Sequence, residues 1–254
     1  AATEETEVTA EPVELQIFAA NSLEKALPEV QALYTAANPE VTFAETQFKG
    51  SGDLVTELQG GAPADIFISA SKSTMDDAVA NGNIDEATRK DMFGNDLVIV
   101  AATGSDIQIS SLEDVNTDAI TKIAIGESAS VPAGAYANQS LNTLGLYSSD
   151  TGKDGTYDAG FESKLVFQSS VGNVAKTVES GDCQIGFVYS SDVYRYTGIE
   201  IIFTVPADTH KAIVYPGAVV ADSANAEAAQ AFLDFCSTDP EAQAIWSKYG
   251  CEVK

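Results

Sequence analysis

The stretch ELQIFAANSLEKALPEVQALY, residues 14–34, decides the fold of this chain. Residues 14–19 form a short β-rich run that predicts a buried strand, and apolar residues then recur at helical spacing as far as Tyr34. A buried strand that passes directly into an amphipathic helix is typical of an α/β fold. Ser22 stands where we expect the helix N-cap, and Pro28 is expected to kink the helix because it lacks a backbone donor.

The same alternation of strand and helix continues along the chain. A second unit places strand 41–47 before the turn 50–52 and a helix from about residue 53 to 59, and strand 65–68 follows. Further strands are predicted at residues 97–102, 122–125, 165–167 and 185–189, and further helices at 133–144, 172–180, 225–236 and 239–248. Strands that alternate with helices in this way predict largely parallel sheets.

The strand and helix units fall into two groups, which predicts two lobes. Residues 13–96 together with 212–254 are assigned to lobe 1, and residues 97–211 to lobe 2. Extended segments at residues 97–102 and 212–220 are predicted to cross between the lobes. The last two helices are then expected to pack back on lobe 1.

The charge of the chain restricts its partners. Its 254 residues include 38 acidic and 13 basic side chains, for a formal net charge of −25. Nucleic acid is not expected as a partner, because phosphate backbones are bound by clustered Lys and Arg, and no such cluster is present. With 44% hydrophobic and 20% charged residues, the composition is that of a globular protein. We expect it to be a monomer.

Residues 1–12 have four glutamates and no apolar periodicity, which predicts a flexible acidic tether. A tether in front of a compact domain is what remains after removal of a secretion signal. We therefore expect an extracytoplasmic protein, either periplasmic or held at the membrane by a lipidated N-terminus.

Cys183, Cys236 and Cys251 lack the spacing of a zinc site. Cys236 and Cys251 are compatible both with a disulfide and with two free thiols.

Small and hydroxyl residues stand directly before four predicted helices. They are Ser22, Ser51, the turn Val131-Pro132-Ala133-Gly134, and Val171-Gly172. In open α/β sheets ligands bind beyond the carboxyl ends of the strands, where a strand passes into a helix. Each helix N-terminus offers unpaired NH groups and a partial positive charge. One such position alone is an ordinary cap or turn, but four together predict an anion site that needs no Lys or Arg.

Five segments of the chain, in matching order, resemble the periplasmic molybdate-binding proteins of molybdate ABC transporters. They are AANSL at residues 19–23, FKGSG at 48–52, GAPADIFISA at 61–70, VPAG at 131–134 and GFVY at 186–189. The third segment is the most specific, and the resemblance extends from about Val13 to the C-terminus.

This resemblance implies the two-lobed type II periplasmic-binding-protein fold, in which each lobe is a mostly parallel sheet flanked by helices and two segments cross between the lobes. It also implies molybdate or tungstate as the ligand and a membrane permease as the partner, with no cofactor and no residue that binds a metal cation directly. The ligand contacts fall on the hydroxyl and NH groups of Ser22 and Ser51, the NH groups of Ala133 and Val171, and the hydroxyl of Tyr189.

A pocket made only of hydrogen-bond donors has its own selectivity. It favours a fully deprotonated dianion and disfavours hydrogen phosphate, whose proton would face no acceptor. Sulfate is also a tetrahedral dianion and remains an alternative ligand. Gly50 and Gly52 stand where the resembling family usually has serine, so we expect fewer hydroxyls around Ser51 and a more mobile turn.

The sequence supports two other functions less well. Tyr194 and Tyr196 resemble the tyrosines that bind ferric iron in relatives of this fold, although alternate residues on an extended segment commonly just pack. A hydrolase would need a nucleophile and a base, but a GxSxG elbow is absent and the one histidine, His210, lies outside every strand-to-helix turn. We therefore expect a binding protein and not an enzyme.

Overall fold

The computed structural model describes residues 11–253, so the predicted acidic tether lies outside it except for Glu11 and Pro12. The strands are β1 (Val13–Leu15), β2 (Ile17–Ala20), β3 (Val41–Phe43), β4 (Gln47–Lys49), β5 (Ile66–Ile68), β6 (Lys90–Asn95), β7 (Leu97–Ala102), β8 (Ile123–Gly126), β9 (Leu165–Gln168), β10 (Ile185–Tyr189), β11 (Ile199–Thr204), β12 (Ile213–Val219) and β13 (Glu252–Val253). The helices are α1 (Ala26–Ala37), α2 (Ser51–Gln59), α3 (Lys72–Ala80), α4 (Pro132–Thr143), α5 (Ala159–Glu162), α6 (Val171–Glu179), α7 (Ala226–Thr238) and α8 (Pro240–Lys248).

The first lobe is built on a six-stranded sheet with the order β13-β6-β12-β5-β2-β4. Strands β4, β2 and β5 are parallel, and the remaining pairs are antiparallel. All four residues of β2 are buried, because helices cover both faces of the strand. The last helix, α8, places Trp246 against Phe93 of β6, whose ring also lies 5.0 Å from that of Tyr215 in β12.

The second lobe is built on a five-stranded sheet with the order β11-β7-β10-β8-β9. Strands β10, β8 and β9 are parallel, whereas β7 runs antiparallel to both β10 and β11. Helices α4 and α6 pack on this sheet. Both helices begin at the same edge, because they follow parallel strands.

The chain passes twice between the sheets. It leaves the first sheet after β6 and enters the second with β7, so that only Asp96 separates the two strands, and it returns over residues 205–212. The segments 97–102 and 212–220, which we predicted as crossings, are therefore mostly strands inside the sheets. Strands next to a crossing run antiparallel to their neighbours, since they need no helical connection. Both sheets are consequently mixed. A third, two-stranded sheet pairs β1 with β3 in parallel.

Two local predictions around the first strand are wrong. Ser22 is not the N-cap of a long helix, because Asn21–Leu23 form a separate 3-10 turn and α1 begins only at Ala26. Pro28 is the third residue of α1, where a backbone NH has no partner within the helix, so it does not have to kink the helix. Of the two alternatives for Cys236 and Cys251, a disulfide or two free thiols, the structure has two buried free thiols.

Candidate functional site

A narrow cavity between the two lobes brings together the five residues predicted to bind a ligand. It is small and partly open to solvent. Its lining comprises Ser22, Ser51, Ala133, Val171 and Tyr189 together with Ala20, Asn21, Lys49, Gly50, Ala70, Val131 and Pro132. The cavity therefore lies where β2, β4 and β5 of the first lobe and β8, β9 and β10 of the second end.

Ser51 is the first residue of α2 and is 1% exposed. Its Oγ accepts a hydrogen bond from the backbone NH of Ala70 at 3.0 Å. Because this bond uses only a lone pair of the Ser51 hydroxyl, the hydroxyl proton remains available to a ligand in the cavity. The NH of Ser51 is likewise one of the helix N-terminal donors without a partner inside the helix.

Ser22 is oriented by a chain of hydrogen bonds from the crossing between the lobes. The carbonyl oxygen of the Asn95 side chain accepts from the backbone NH groups of Asp96 and Ser191, so the amide NH₂ points the other way. That NH₂ donates to the hydroxyl of Tyr215 at 3.3 Å, and the Tyr215 hydroxyl lies 2.8 Å from Ser22 Oγ. Accepting from Asn95 leaves the Tyr215 proton available to Ser22, and a Ser22 hydroxyl that accepts this proton keeps its own for the cavity.

The second lobe contributes two helix N-termini. Helix α4 begins with Pro132, so Ala133 has the first backbone NH of that helix, and α6 begins at Val171. The NH groups in the first turn have no acceptor within their helix and carry the positive end of its dipole. Both positions therefore present donors to an anion without any basic side chain.

Tyr189 ends β10 and is 1% exposed. Among the described residues its hydroxyl is one of only two buried side-chain polar atoms that lack a hydrogen-bond partner. Burial raises the pKa of Tyr189 well above its ordinary value, so the hydroxyl stays protonated and can act as a donor. A buried hydroxyl without a partner costs free energy, and an anionic acceptor in the cavity would remove that cost.

Lys49 is the one basic side chain among the residues that line the cavity. Its ammonium group forms an ion pair with Glu57 of α2, which neutralises its charge locally. The cavity thus relies on neutral hydroxyl and NH groups.

Glycines allow the backbones of the two lobes to touch beside this cavity. Gly52 donates its NH to the carbonyl oxygen of Ser130 at 3.0 Å. A Cβ atom added at Gly50 would lie 2.7 Å from that oxygen, and one at Gly52 would lie 2.7 Å from Ser130 Cα and 2.8 Å from the carbonyl oxygen of Ala129. Gly50 is the N-cap of α2 and Gly52 is its second residue, and with Ala129 and Ser130 they form what we call the glycine contact. The expected mobility of this segment stays a prediction.

The residues that indicated other functions do not line the cavity. Tyr194 is 56% exposed, and Tyr196 packs beside the guanidinium group of Arg195. His210 lies next to the ring of Tyr136. Within residues 11–253, no group of three or more His, Cys, Asp or Glu side chains could hold a metal ion, and no helix is long and apolar enough to cross a membrane.

Sequence reasoning missed the residues that support the predicted donors. Asn21 precedes Ser22 directly and could have been included on that ground. Asn95 and Tyr215 gave no signal, because Tyr215 reaches Ser22 across 193 residues of sequence.

The family model of the bacterial extracellular solute-binding proteins matches residues 15–252 of the chain. The chain belongs to this family. The molybdate-binding protein ModA of Escherichia coli (strain K12) is 34% identical to it over 245 residues, which cover 94% of this chain and 89% of that protein. The putative ABC transporter substrate-binding lipoprotein YvgL of Bacillus subtilis (strain 168) is 33% identical over 238 residues, which cover 94% of this chain and 86% of that protein.

A solved structure leads to the same assignment. The substrate-binding domain of a putative molybdenum ABC transporter from Clostridium difficile matches this solute-binding protein with a TM-score of 0.69 and 34% identity. The match covers 95% of this chain and 99% of that domain. The predicted family and its two-lobed type II fold are therefore confirmed.

Proposed function

We propose that this solute-binding protein holds molybdate or tungstate as a tetrahedral dianion between its lobes and delivers it to the membrane permease of an ABC importer. The observation that carries the proposal is the buried Tyr189 hydroxyl, which has no partner in the described residues and lines a cavity of neutral donors. ModA and YvgL, the two relatives compared above, support the ligand class and the transporter.

The five contacts divide between the lobes. Ser22 and Ser51 would bind the anion from the first lobe with hydroxyl and NH donors. Ala133 and Val171 would bind it from the second lobe with NH donors, and Tyr189 with its hydroxyl. A site of this kind can hold a dianion in a protein of net charge −25, because hydrogen bonds act at short range whereas surface carboxylates are screened over about 10 Å by salt.

Residues 13–96 with 212–254 make up lobe 1 and residues 97–211 make up lobe 2, so that both crossings lie near Asn95 and Tyr215. The protein acts outside the cytoplasm as a monomer, in the periplasm or anchored to the membrane by a lipid at its N-terminus. It has no catalytic role and does not bind nucleic acid.

Thermal melting in the presence of different anions tests this function. An anion that binds only the folded protein stabilises it by about 4 kcal/mol when it is present at a thousandfold excess over its dissociation constant. For a chain of this size we expect molybdate and tungstate to raise the melting temperature by about 10 °C. The shift in melting temperature with sulfate shows how much cavity size contributes to selectivity. The shift with phosphate shows the cost of placing a proton where it faces only donors.

The matched control is Tyr189→Phe, which removes one donor and keeps the shape of the ring. Its shift with molybdate should be smaller than that of the unaltered protein. The absence of a shift with both molybdate and tungstate, or an equal shift with phosphate, would contradict the proposal.

A further inference from the structure

A second contact between the lobes is polar and is centred on Arg195. Its members are Asn21 and Glu24 of the first lobe and Gly172, Asp192 and Arg195 of the second, and we call this group the arginine clamp. The side chain of Arg195 is 2% exposed and that of Asp192 is fully buried. A buried guanidinium group between two lobes is costly to desolvate unless its donors are used.

The donors of Arg195 are directed to both lobes. On its own lobe, its Nε and Nη2 atoms donate to Asp192 Oδ1 at 3.0 and 2.7 Å. Across the cleft, its Nη1 atom donates to the backbone oxygen of Asn21 at 2.7 Å and to Glu24 Oε2 at 3.0 Å. Its Nη2 atom also lies 3.3 Å from Asn21 Oδ1.

Gly172 completes the contact from the start of α6. Its backbone NH donates to Asn21 Oδ1 at 3.0 Å, so this one oxygen joins Gly172 and Arg195 of the second lobe to the first lobe. A Cβ atom at Gly172 would lie 2.6 Å from Asn21 Oδ1 and 2.6 Å from the hydroxyl of Tyr196. A side chain at this position would therefore displace the Asn21 amide or the Tyr196 hydroxyl.

Three members of the clamp are linked directly to proposed ligand residues. Asn21 precedes Ser22, and Gly172 follows Val171. Asp192 accepts the backbone NH of Tyr189 with Oδ2 at 2.9 Å, while its Oδ1 holds Arg195. Contact between Asn21 and the second lobe therefore brings three of the proposed ligand donors into one arrangement.

We infer that Arg195 is a positioning residue that holds the lobes closed through Asn21, so that its contacts set how long the anion stays bound. The inference rests on the proposed function, because the retained solute is the anion of the cavity. Asp192 keeps Arg195 in place when the lobes separate, whereas Asn21 and Glu24 are its partners only when they are closed. Closing the lobes thus adds charge-assisted hydrogen bonds that the open form lacks.

The test compares Asn21→Ala and Glu24→Gln with the unaltered protein. Asn21→Ala removes the shared side-chain acceptor without leaving Asp192 buried and unpaired, and Glu24→Gln removes one charge at a position that does not line the cavity. The matched control is Lys153→Ala, which removes a more exposed pair between the lobes, Lys153 to Asp77 at 3.7 Å.

Molybdate dissociation and association rates are measured by stopped-flow fluorescence. We expect dissociation to become about tenfold faster in Asn21→Ala and about threefold faster in Glu24→Gln, with association within twofold of the unaltered protein. Lys153→Ala should change either rate by less than twofold. Unchanged dissociation in both clamp variants, or an effect confined to association, would overturn the inference.

Amide hydrogen exchange at Gly172, measured by NMR without any anion, separates this inference from the proposed function. If the unaltered protein binds neither molybdate nor tungstate, the proposed function fails while this measurement still reports on the clamp. Faster exchange at Gly172 in Asn21→Ala supports the clamp. Equal exchange in the two proteins refutes it.

Discussion

The glycine contact and the arginine clamp join the same two lobes in opposite ways. At the glycine contact, Gly50 and Gly52 have no side chains, and the backbone of α2 meets the backbone at Ser130. At the clamp, a buried charged side chain spans the cleft. The absence of side chains permits the lobes to close at the glycine contact, whereas directed hydrogen bonds favour closure at the arginine clamp. Neither contact uses the neutral donors that we assign to the anion.

The two contacts should respond differently to substitution. A methyl group at the glycine contact would meet backbone atoms on both residues of the partner segment, and backbone moves only together with the segment around it. The loss of one hydrogen bond at the clamp leaves others in place. We therefore expect an abrupt effect at the first contact and a graded effect at the second.

The largest effect is expected for Gly52→Ala. The new Cβ would lie 2.7 Å from Ser130 Cα, so the lobes could not close and molybdate affinity should fall by at least about a hundredfold. Helix propensity favours Ala over Gly by about 1 kcal/mol, so the anion-free protein should melt at the same or a higher temperature. Titration calorimetry and melting curves measure both quantities.

Gly60→Ala, at the C-terminal end of the same helix, is the matched control for this substitution. Its Cβ would approach only the helix's own backbone, at 3.3 Å or more. Affinity retained in Gly52→Ala would show that closure does not depend on the glycine contact.

A smaller effect is expected for Tyr189→Phe, which acts at the residue that Asp192 connects to the clamp. The loss of a hydrogen bond to a charged ligand costs about 2 kcal/mol, so molybdate affinity should fall roughly thirtyfold. The anion-free protein should be as stable as before or more stable, because the removed hydroxyl has no partner in the described residues. A fall in anion-free melting temperature with no change in affinity would assign Tyr189 a purely structural role.

The smallest of these effects is expected for Tyr215→Phe. This change removes the hydroxyl that bonds to Ser22 Oγ but leaves the Ser22 hydroxyl in the cavity. Affinity should fall roughly fivefold, which corresponds to about 1 kcal/mol for one neutral hydrogen bond. The double variant Ser22→Ala with Tyr215→Phe is the control, because Tyr215→Phe should add little once Ser22 has no hydroxyl. Additive losses would show that Tyr215 acts independently of Ser22.

The sequence allowed the α/β fold and the residues at the strand-to-helix turns to be predicted, because both depend on local patterns. The runs around Ser51 and Val171 placed small residues before amphipathic helices, and the structure has helices beginning at both residues. Whether these residues bind the anion stays a prediction. The role of Ser22 as an N-cap was wrong, since a 3-10 turn lies between β2 and α1 and local spacing does not reveal it.

The supporting residues could not be predicted for a physical reason. Arg195 contacts Asn21 across 174 residues of sequence, and its only local signal is its position between Tyr194 and Tyr196. Helix α3 and strand β6 were not predicted either, although they complete the first lobe. Contacts that depend on how two lobes meet have no period or motif within one segment.

The central claim is that neutral donors from both lobes surround a tetrahedral dianion. It is tested most directly by a crystal structure of the complex with molybdate, with the metal located by its anomalous scattering. We predict one metal position inside the cavity, with oxygens within hydrogen-bonding distance of Ser22, Ser51, Ala133, Val171 and Tyr189. A metal position outside the cavity, or oxygens that contact Lys49 in place of these donors, would contradict it.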